Sequence, residues 1–485
     1  MKELAEFSPF ETMDSFNRHW TLIAVFVFFF SWLLAFPFEG RILYALAELQ
    51  GVSTPRLVFG AMVFHGVGLF SCGYFVRTRR RAKKLTLFSA AFCAAASCAF
   101  FLPPSPLWTA ALFSSSFLAG CCLAAWGLFC VAAVPKSERF KIMADALIGS
   151  NLLMILLNAA AVHFSPKAGL GLSVLFLAVA FWFARGLPAG ETSLRRPPGK
   201  SKDAPSVNGP LAFLCLFIVV FTINSGLMYQ VQNPAFSHLE RLTAWYWAVP
   251  YIAALVIVRN LPRKANRAYI LNVAIAMIGF SFIAFFSLSR SVTGYLIVNT
   301  LMLGACGVYD LFWWSILGDM LDMGDNNPVR ILGAGLAANV FGVLLGGLIG
   351  SALRSPNVHH PMLLVGAVIC VIVVMLPLLH NRLILLLKEH IFLTVFQESL
   401  PQEQNQMIQN IVDADKLTRR ENETLALLIQ GKSYRAIAEE LGVTENTIKT
   451  HARNIYSKTG ARNRAELVSM VRDEKSAFAR NHKSL

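Results

Sequence analysis

Twelve stretches of about 20 predominantly apolar residues constrain this chain most, because each is long enough to cross the hydrocarbon core of a bilayer as a helix. They centre near Phe28, Gly66, Ala94, Gly120, Leu152, Phe176, Val220, Leu255, Ile278, Gly304, Val340 and Ile369. Lipid offers no hydrogen bonds to a backbone, so an all-α fold follows for this part of the chain. The residue content agrees. Charged residues make up 15% of the 485, against about 25% in soluble domains, and 55% are hydrophobic. The first run, Trp20 to Phe36, follows a polar tail (residues 1–19) and precedes no small-residue cleavage pattern, so it is expected to remain as the first span.

The basic residues fix an orientation. From Asn381 onward 16 Lys and Arg stand against 13 Asp and Glu, a net of +3, while the rest of the chain carries 27 against 15, a net of +12. Within that part, the N-terminal tail and every second connection hold 21 Lys and Arg, with six in Arg77 to Lys84 alone; the intervening connections hold 6. By the positive-inside rule the richer set faces the cytoplasm, which places both termini there. Residues 186–209, with Leu194-Arg-Arg-Pro-Pro-Gly-Lys-Ser-Lys, read as a basic Pro-rich linker that divides residues 20–379 into six spans and six. The nine cysteines lie within or beside apolar runs and show no ligand-like spacing to histidines, so they read as small packing residues, and neither a metal nor another cofactor is expected.

This 6 + 6 layout with a cytoplasmic middle loop resembles the major facilitator superfamily over roughly residues 18 to 380. The family's loop between spans two and three usually reads Gly-x-x-x-Asp-Arg-x-Gly-Arg-Arg. Here Gly73-Tyr-Phe-Val-Arg-Thr-Arg-Arg-Arg keeps the glycine and the basic run but lacks the acidic residue. In transporters of that family the motif helps gate alternating access, so its erosion argues against transport.

An ionisable residue inside a span calls for a functional hypothesis. Asp310 is the clearest, with Tyr309, Trp313 and Trp314 within one turn. A carboxylate beside aromatic faces suits a cationic or hydroxylated small molecule; the bland alternative is that it pairs with a neighbouring helix. Asn224, Tyr229 and Gln230 of span seven, with Asn151 and Asn158 of span five, either line the same cavity or hydrogen-bond helix to helix. Asp319, Asp322 and Asp325 share one helical face at the cytoplasmic end of span ten, where they can meet basic loops. Gly342, Gly346 and Gly350, at four-residue intervals, predict close packing of span eleven.

After Leu379 the pattern changes. Residues 380–412 read as a juxtamembrane helix and linker, residues 413–478 as a small four-helix domain, and 479–485 as a tail. Thr418-Arg-Arg-Glu421 is a capping box opening a first helix that buries Leu425, Leu428 and Ile429 and closes at Gly431. Ser433 caps a second, Tyr434 to Leu441; Gly442-Val443 turns; Thr444 caps a third, Glu445 to Thr459; Asn463-Arg-Ala-Glu466 boxes a fourth. Two helices joined by a short glycine turn form a helix-turn-helix, whose second helix enters the major groove. That helix offers Asn446, Lys449, Thr450 and Arg453, and its single acid, Glu445, stands against Lys449, Arg453 and Lys458, a field that favours phosphate.

Leu417-Thr-x-Arg-Glu421, Gly431-x-Ser, Ile437-Ala-x-x-Leu441, Thr447-Ile-Lys-Thr-His451, Ile455, Lys458 and Asn463-Arg-Ala-Glu-Leu467 resemble the LuxR-type (NarL/FixJ) DNA-binding domain over about 55 contiguous residues. The resemblance implies that Lys449, Thr450 and Arg453 reach base edges of double-stranded DNA while Thr444, Asn446 and Thr447 hold phosphates, with Lys458 adding to the basic surface. It also implies that His451 is structural and that the fourth helix, around Arg464, Leu467 and Met470, pairs two copies as a homodimer on a dyad site. Thr459 departs from the family's usual leucine.

Two functions account for both parts. One is a membrane-bound transcription regulator whose facilitator-like domain senses a small-molecule ligand or the state of the membrane lipid and controls the head; the other is an active transporter with an appended regulatory head. Enzyme catalysis finds no nucleophile, metal or phosphate-loop constellation in the sequence.

Overall fold

Proline and small hydroxyl side chains set where the spans begin. In a computed structural model of the chain, which describes residues 9–38, 40–136, 138–189, 208–261, 267–321, 327–353, 366–367, 369–379, 417–429, 434–461 and 467, helices open with Pro55, Pro106 and Pro166 in their first turn, where the missing N–H costs nothing. Ser165 and Ser291 accept the backbone N–H of Ala168 and Gly294 at 3.0 and 3.2 Å, and Thr78 accepts that of Arg81.

Eleven helices among the described residues are long and apolar enough to cross a membrane: His19–Leu49, Pro55–Phe75, Arg79–Phe101, Pro106–Ala133, Arg139–His163, Pro166–Ala184, Asn208–Ala235, Ser237–Arg259, Ile270–Ser287, Val292–Met320 and Pro328–Ala352. They are spans one to eleven of the sequence reading. The twelfth is described only as the shorter apolar helix Ile369–Leu379. Most of the linker 186–209, all of 380–412 and the tail 479–485 lie outside the described residues.

Span two packs against spans four and eleven, span one against five and six, and span ten against eight and nine. The glycine stripe of span eleven makes the close approach that its spacing predicts. A Cβ on Gly342 would collide with the Thr222 hydroxyl, one on Gly346 with the Ile223 carbonyl, and one on Gly350 with the Gln230 side chain. Spans seven and eleven therefore meet backbone to backbone, with dispersion rather than hydrophobic transfer holding them inside lipid.

Among the described residues spans one, seven and eight are interrupted, and the interruptions carry polar groups; span seven leaves α-geometry at the π-turn Met228–Gln232. Span one leaves α-geometry at the π-turn Leu34–Phe38, which contains Pro37, and restarts as Arg41–Leu49. Gly40 bonds back to the Leu34 carbonyl at 2.8 Å, and a Cβ there would collide with the Ala35 carbonyl. Span eight bends between its pieces Glu240–Tyr246 and Val249–Arg259, with Pro250 in the first turn of the second piece.

Ion-pair and hydrogen-bond bridges join spans one to six with spans seven to eleven at the end that bears the basic connections. Arg259 and Asp145 form a bidentate pair, 2.9 Å from Nη2 to Oδ2, and Asn327 donates to the carbonyls of Gly73 and Val76 at 3.0 and 2.6 Å. At the same end Arg139, buried, donates from Nη1 to the Gly318 carbonyl at 3.1 Å.

The C-terminal residues form a second compact unit. Its helices Arg419–Ile429, Tyr434–Leu441 and Glu445–Thr459 fall where the caps place them. They enclose Leu425, Leu428, Ile429, Ile437, Ile448, Ala452 and Ile455, with Leu467 buried alongside. Gly431, Ser433 and Asn463 to Glu466, expected as caps, lie outside the described residues.

Replacing Gly346 by Val should cost about 2 kcal/mol or more, since the collision is with backbone that cannot swing aside. Size-exclusion profiles and melting midpoints of the detergent-purified protein check this. A Gly279→Val control should change neither, because open space surrounds that residue.

Candidate functional site

The head presents one helix to its surroundings. Thr444 opens it, its hydroxyl oxygen accepting the Thr447 N–H at 3.2 Å, and Gly442 before it (φ 65°) and Gly460 after it (φ 73°) occupy the left-handed region that favours glycine. The helix buries Ile448, Ala452, Ile455 and Thr459 on one side. On the other, Thr444, Asn446, Lys449, Thr450 and Arg453 are exposed and Thr447 is half-buried. Six of the seven residues expected at DNA thus share one accessible surface.

Lys458, the seventh, has a different partner. Its ammonium donates to Glu421 Oε2 at 2.6 Å, tying the third helix to the first. The same carboxylate oxygen accepts the Thr418 N–H and hydroxyl, both at 2.8 Å, closing the expected capping box. Burial pushes the Glu421 carboxyl up, but the Lys458 ammonium and the Thr418 donors outweigh it and hold the group below the usual carboxylate range. Lys458 thereby gains an internal role that spacing alone did not reveal; the signal was Glu421, read only as a cap. Thr459, in the family's usual leucine position, donates to the Ile455 carbonyl at 2.9 Å, so its polarity is satisfied inside the core.

Lys449 pairs with Glu445 one turn earlier at 2.8 Å, and this neighbour holds the exposed Glu445 carboxyl below its usual range. The Thr450 hydroxyl donates to the Asn446 carbonyl at 3.0 Å. These local contacts are weak and exposed, so a phosphate or base edge can displace them at little cost. Of the residues expected to pair two copies, Leu467 is fully buried in the head core, while Arg464 and Met470 lie outside the described residues.

In the membrane unit the structure sorts the polar candidates. Asp310 is half-buried, accepting the Tyr251 hydroxyl at 2.8 Å on Oδ2 and the Trp313 indole N–H at 3.0 Å on Oδ1. Trp314 stacks on Trp313, 5.3 Å between centroids, and meets Trp126 and Phe26 of spans four and one edge-on. The carboxylate therefore sits beside an aromatic group shared by the two halves, a setting that suits a cation. Tyr251, 59 residues away in span eight, was missed because a tyrosine in an apolar run carries no spacing signal.

The remaining candidates are directed elsewhere. Tyr309 stacks on Phe221 at 4.2 Å and donates to the Leu271 carbonyl, which makes it core of the second half. Asn224 donates to the Phe221 carbonyl of its own helix, Tyr229 lies against Trp247, and Gln230 fills the space over Gly350. Asn151 likewise bonds within its helix, to Leu147, and Asn158 accepts the Arg41 N–H. Asp319 is half-buried at the end of span ten that Arg139 approaches; Asp322 and Asp325 lie outside the described residues.

A bundle of membrane-length helices that carries a compact helix-turn-helix head on one chain defines the class. Residues 415–471 match the GerE profile, bacterial regulatory proteins of the luxR family, and form a LuxR-type DNA-binding domain. The head is 45% identical over 53 residues to the monoamine regulon transcriptional regulator of Klebsiella aerogenes, covering 11% of this chain and 23% of that one. It is 41% identical over 64 residues to the HTH-type transcriptional regulator MalT of Yersinia pestis (strain Pestoides F), 13% and 7% of the two lengths. The chain thus spans less than a third of these curated relatives.

The rest resembles solved transporters. The human organic anion transporter MFSD10 (TETRAN) superposes with a TM-score of 0.56 at 14% identity over 76% of this chain and 100% of that one. A bacterial homologue of the iron transporter ferroportin gives 0.56 at 13%, over 76% and 98%. These likenesses show the fold of the major facilitator transporters.

Because the Glu421 carboxyl is held low in the folded head, the unfolded chain takes up the proton first as pH falls. Its stabilisation is complete above the unfolded carboxylate value of about 4.3 and is lost as pH falls through the lower folded value. Glu421→Gln should flatten that acid limb and cost about 1 to 3 kcal/mol at pH 7. Urea midpoints from circular dichroism of a 413–478 fragment, taken between pH 3 and 7, measure both.

Proposed function

We propose that this protein is a membrane-bound transcription regulator in which the transporter-like bundle senses a small molecule or the membrane's state and controls the LuxR-type head. One observation carries the reading: a single chain joins an exposed basic recognition helix to a bundle whose core holds a half-buried carboxylate among aromatic rings. A sensor needs a ligand-accessible group in the first part and an addressable output in the second.

In this reading both termini and the head lie in the cytoplasm and the bundle in the inner membrane of a bacterium, as the 21 to 6 division of basic residues favours. Lys449, Thr450 and Arg453 read bases, and Thr444, Asn446 and Thr447 hold phosphates. Two heads pair on DNA through the segment from Arg464 to Met470. Asp310, Tyr251, Trp313 and Trp314 form the ligand pocket, which takes a cationic or hydroxylated molecule. The transporter-type fold favours a second reading, uptake with the head as regulator, and ion-gradient-driven accumulation in proteoliposomes decides between them.

Lys449→Ala should weaken specific DNA binding by about 1 to 3 kcal/mol, measured by footprinting at fixed salt. An unchanged footprint refutes the assignment of this helix. Asp310→Asn should abolish the transcriptional response of the full-length protein while the head binds DNA as before; a variant that still responds removes Asp310 from the pocket.

A further inference from the structure

Leu187 lies past the end of span six, where a chain leaving a helix usually turns to water, yet it is only 3% exposed. It lines one socket with Val25, Phe26 and Phe29 of span one and with Leu123, Trp126 and Phe129 of span four. The backbone at the same place is fastened from a third span. Lys83, near the start of span three, donates from Nζ to the carbonyls of Arg185 and Leu187 at 2.6 and 2.7 Å. The N–H groups of Gly186 and Leu187 turn back to the carbonyls of Phe183 and Ala184 at 2.9 and 3.2 Å. A cation and a turn suffice to close a helix end. Seating a leucine against two other spans goes beyond that need.

The wall of the socket is shared with the aromatic group beside Asp310. The rings of Phe26 and Trp126 lie 4.6 Å apart, and the Trp126 indole N–H, donated to the Leu22 carbonyl at 3.2 Å, fixes that ring against span one. Trp314 of span ten meets both rings edge-on, at 5.8 and 6.5 Å, and stacks on Trp313, whose own N–H holds the Asp310 carboxylate. A continuous series of packed side chains thus runs from Asp310 in the second half to Leu187 at the start of the central linker. Trp314 is the member that crosses between the halves.

We propose that Leu187 and Lys83 form a strap that fastens the first residues of the central linker to the bundle, and that Trp314 keeps the strap's socket formed. When the halves shift and Trp314 leaves Phe26 and Trp126, the socket loosens and Leu187 withdraws. Close-packed contacts of this kind change in steps, because a partial gap forfeits much of the attraction. The inference rests on the reading of Asp310 as a ligand pocket only for what moves Trp314; the strap and its dependence on Trp314 need no ligand.

The test is limited trypsin digestion of the full-length protein in dodecyl maltoside. Mass spectrometry follows cleavage after Arg185, which is exposed beside the strap, relative to cleavage after Arg195 farther along the linker. Proteolysis follows the population of the opened form, so Leu187→Ala should raise the relative rate roughly tenfold and Lys83→Gln roughly fivefold. Trp314→Leu should raise it as well, and combining it with Leu187→Ala should add little to the effect of Leu187→Ala alone. Trp314→Phe, a smaller change expected to give roughly a twofold rise, carries the comparison where the melting curve shows that Trp314→Leu fails to fold. A wild-type rate in Leu187→Ala overturns the strap. Singly folded variants whose effects multiply in the double variant, or a Trp314 variant cleaved as wild type, overturn its link to Trp314. Loss of the Asp310 pocket shows instead as an intact transcriptional response in Asp310→Asn, which these digestions do not measure.

Discussion

Inside a bilayer every backbone N–H must find its acceptor within its own helix, and the architecture of the membrane unit follows from that requirement. Long uninterrupted helices are the cheap solution, and most spans take it. Chemistry is then confined to places where the rule is locally relaxed or where a side chain brings its own donors. The π-turn with Pro37 in span one and the bend in span eight are such places. The first delivers Arg41, and the second carries Thr243 before the bend and Tyr251 just after it.

The head obeys the opposite economy. Water solvates its helix ends, so its core is small and its stability leans on caps and on the triangle of Thr418, Glu421 and Lys458. That triangle draws one basic side chain of the recognition helix inward and leaves Lys449 and Arg453 on the outside. A single helix thereby serves two purposes, its C-terminal cation fixing the fold and its middle cations facing outward for a polyanion. The division is set by helical periodicity, since Lys458 lies near the buried stripe of Ile448, Ala452, Ile455 and Thr459.

Those periodicities explain what was readable in advance. Apolar length gives the spans, because hydrocarbon thickness admits few alternatives, and the caps at Thr418 and Thr444 give the head helices to the residue, because unmet N–H groups must be answered locally. Polar partners inside the bundle were not readable. Asp310 and Trp313 are one turn apart and could be guessed; Tyr251 could not, since its approach depends on how spans eight and ten pack. Tyr309 shows the reverse error of treating sequence neighbours as spatial ones: one residue is a rotation of about 100° on a helix, enough to send its ring to Phe221 and away from the carboxylate.

Span eight also suggests how a ligand can act at a distance. It touches the first half near both ends, through Thr243 to Arg41 and through Arg259 to Asp145, and Tyr251 between them holds Asp310. Partly exposed contacts of this kind are each worth about 1 kcal/mol, so neither bridge alone locks the halves together. Moving a two-state balance from one in ten to nine in ten needs only about an 80-fold difference in ligand affinity between the states, or about 2.6 kcal/mol. One charged hydrogen bond made in only one state supplies most of that. An element that carries both bridges and the holder of the half-buried Asp310 carboxylate concentrates the difference where it can move one half against the other.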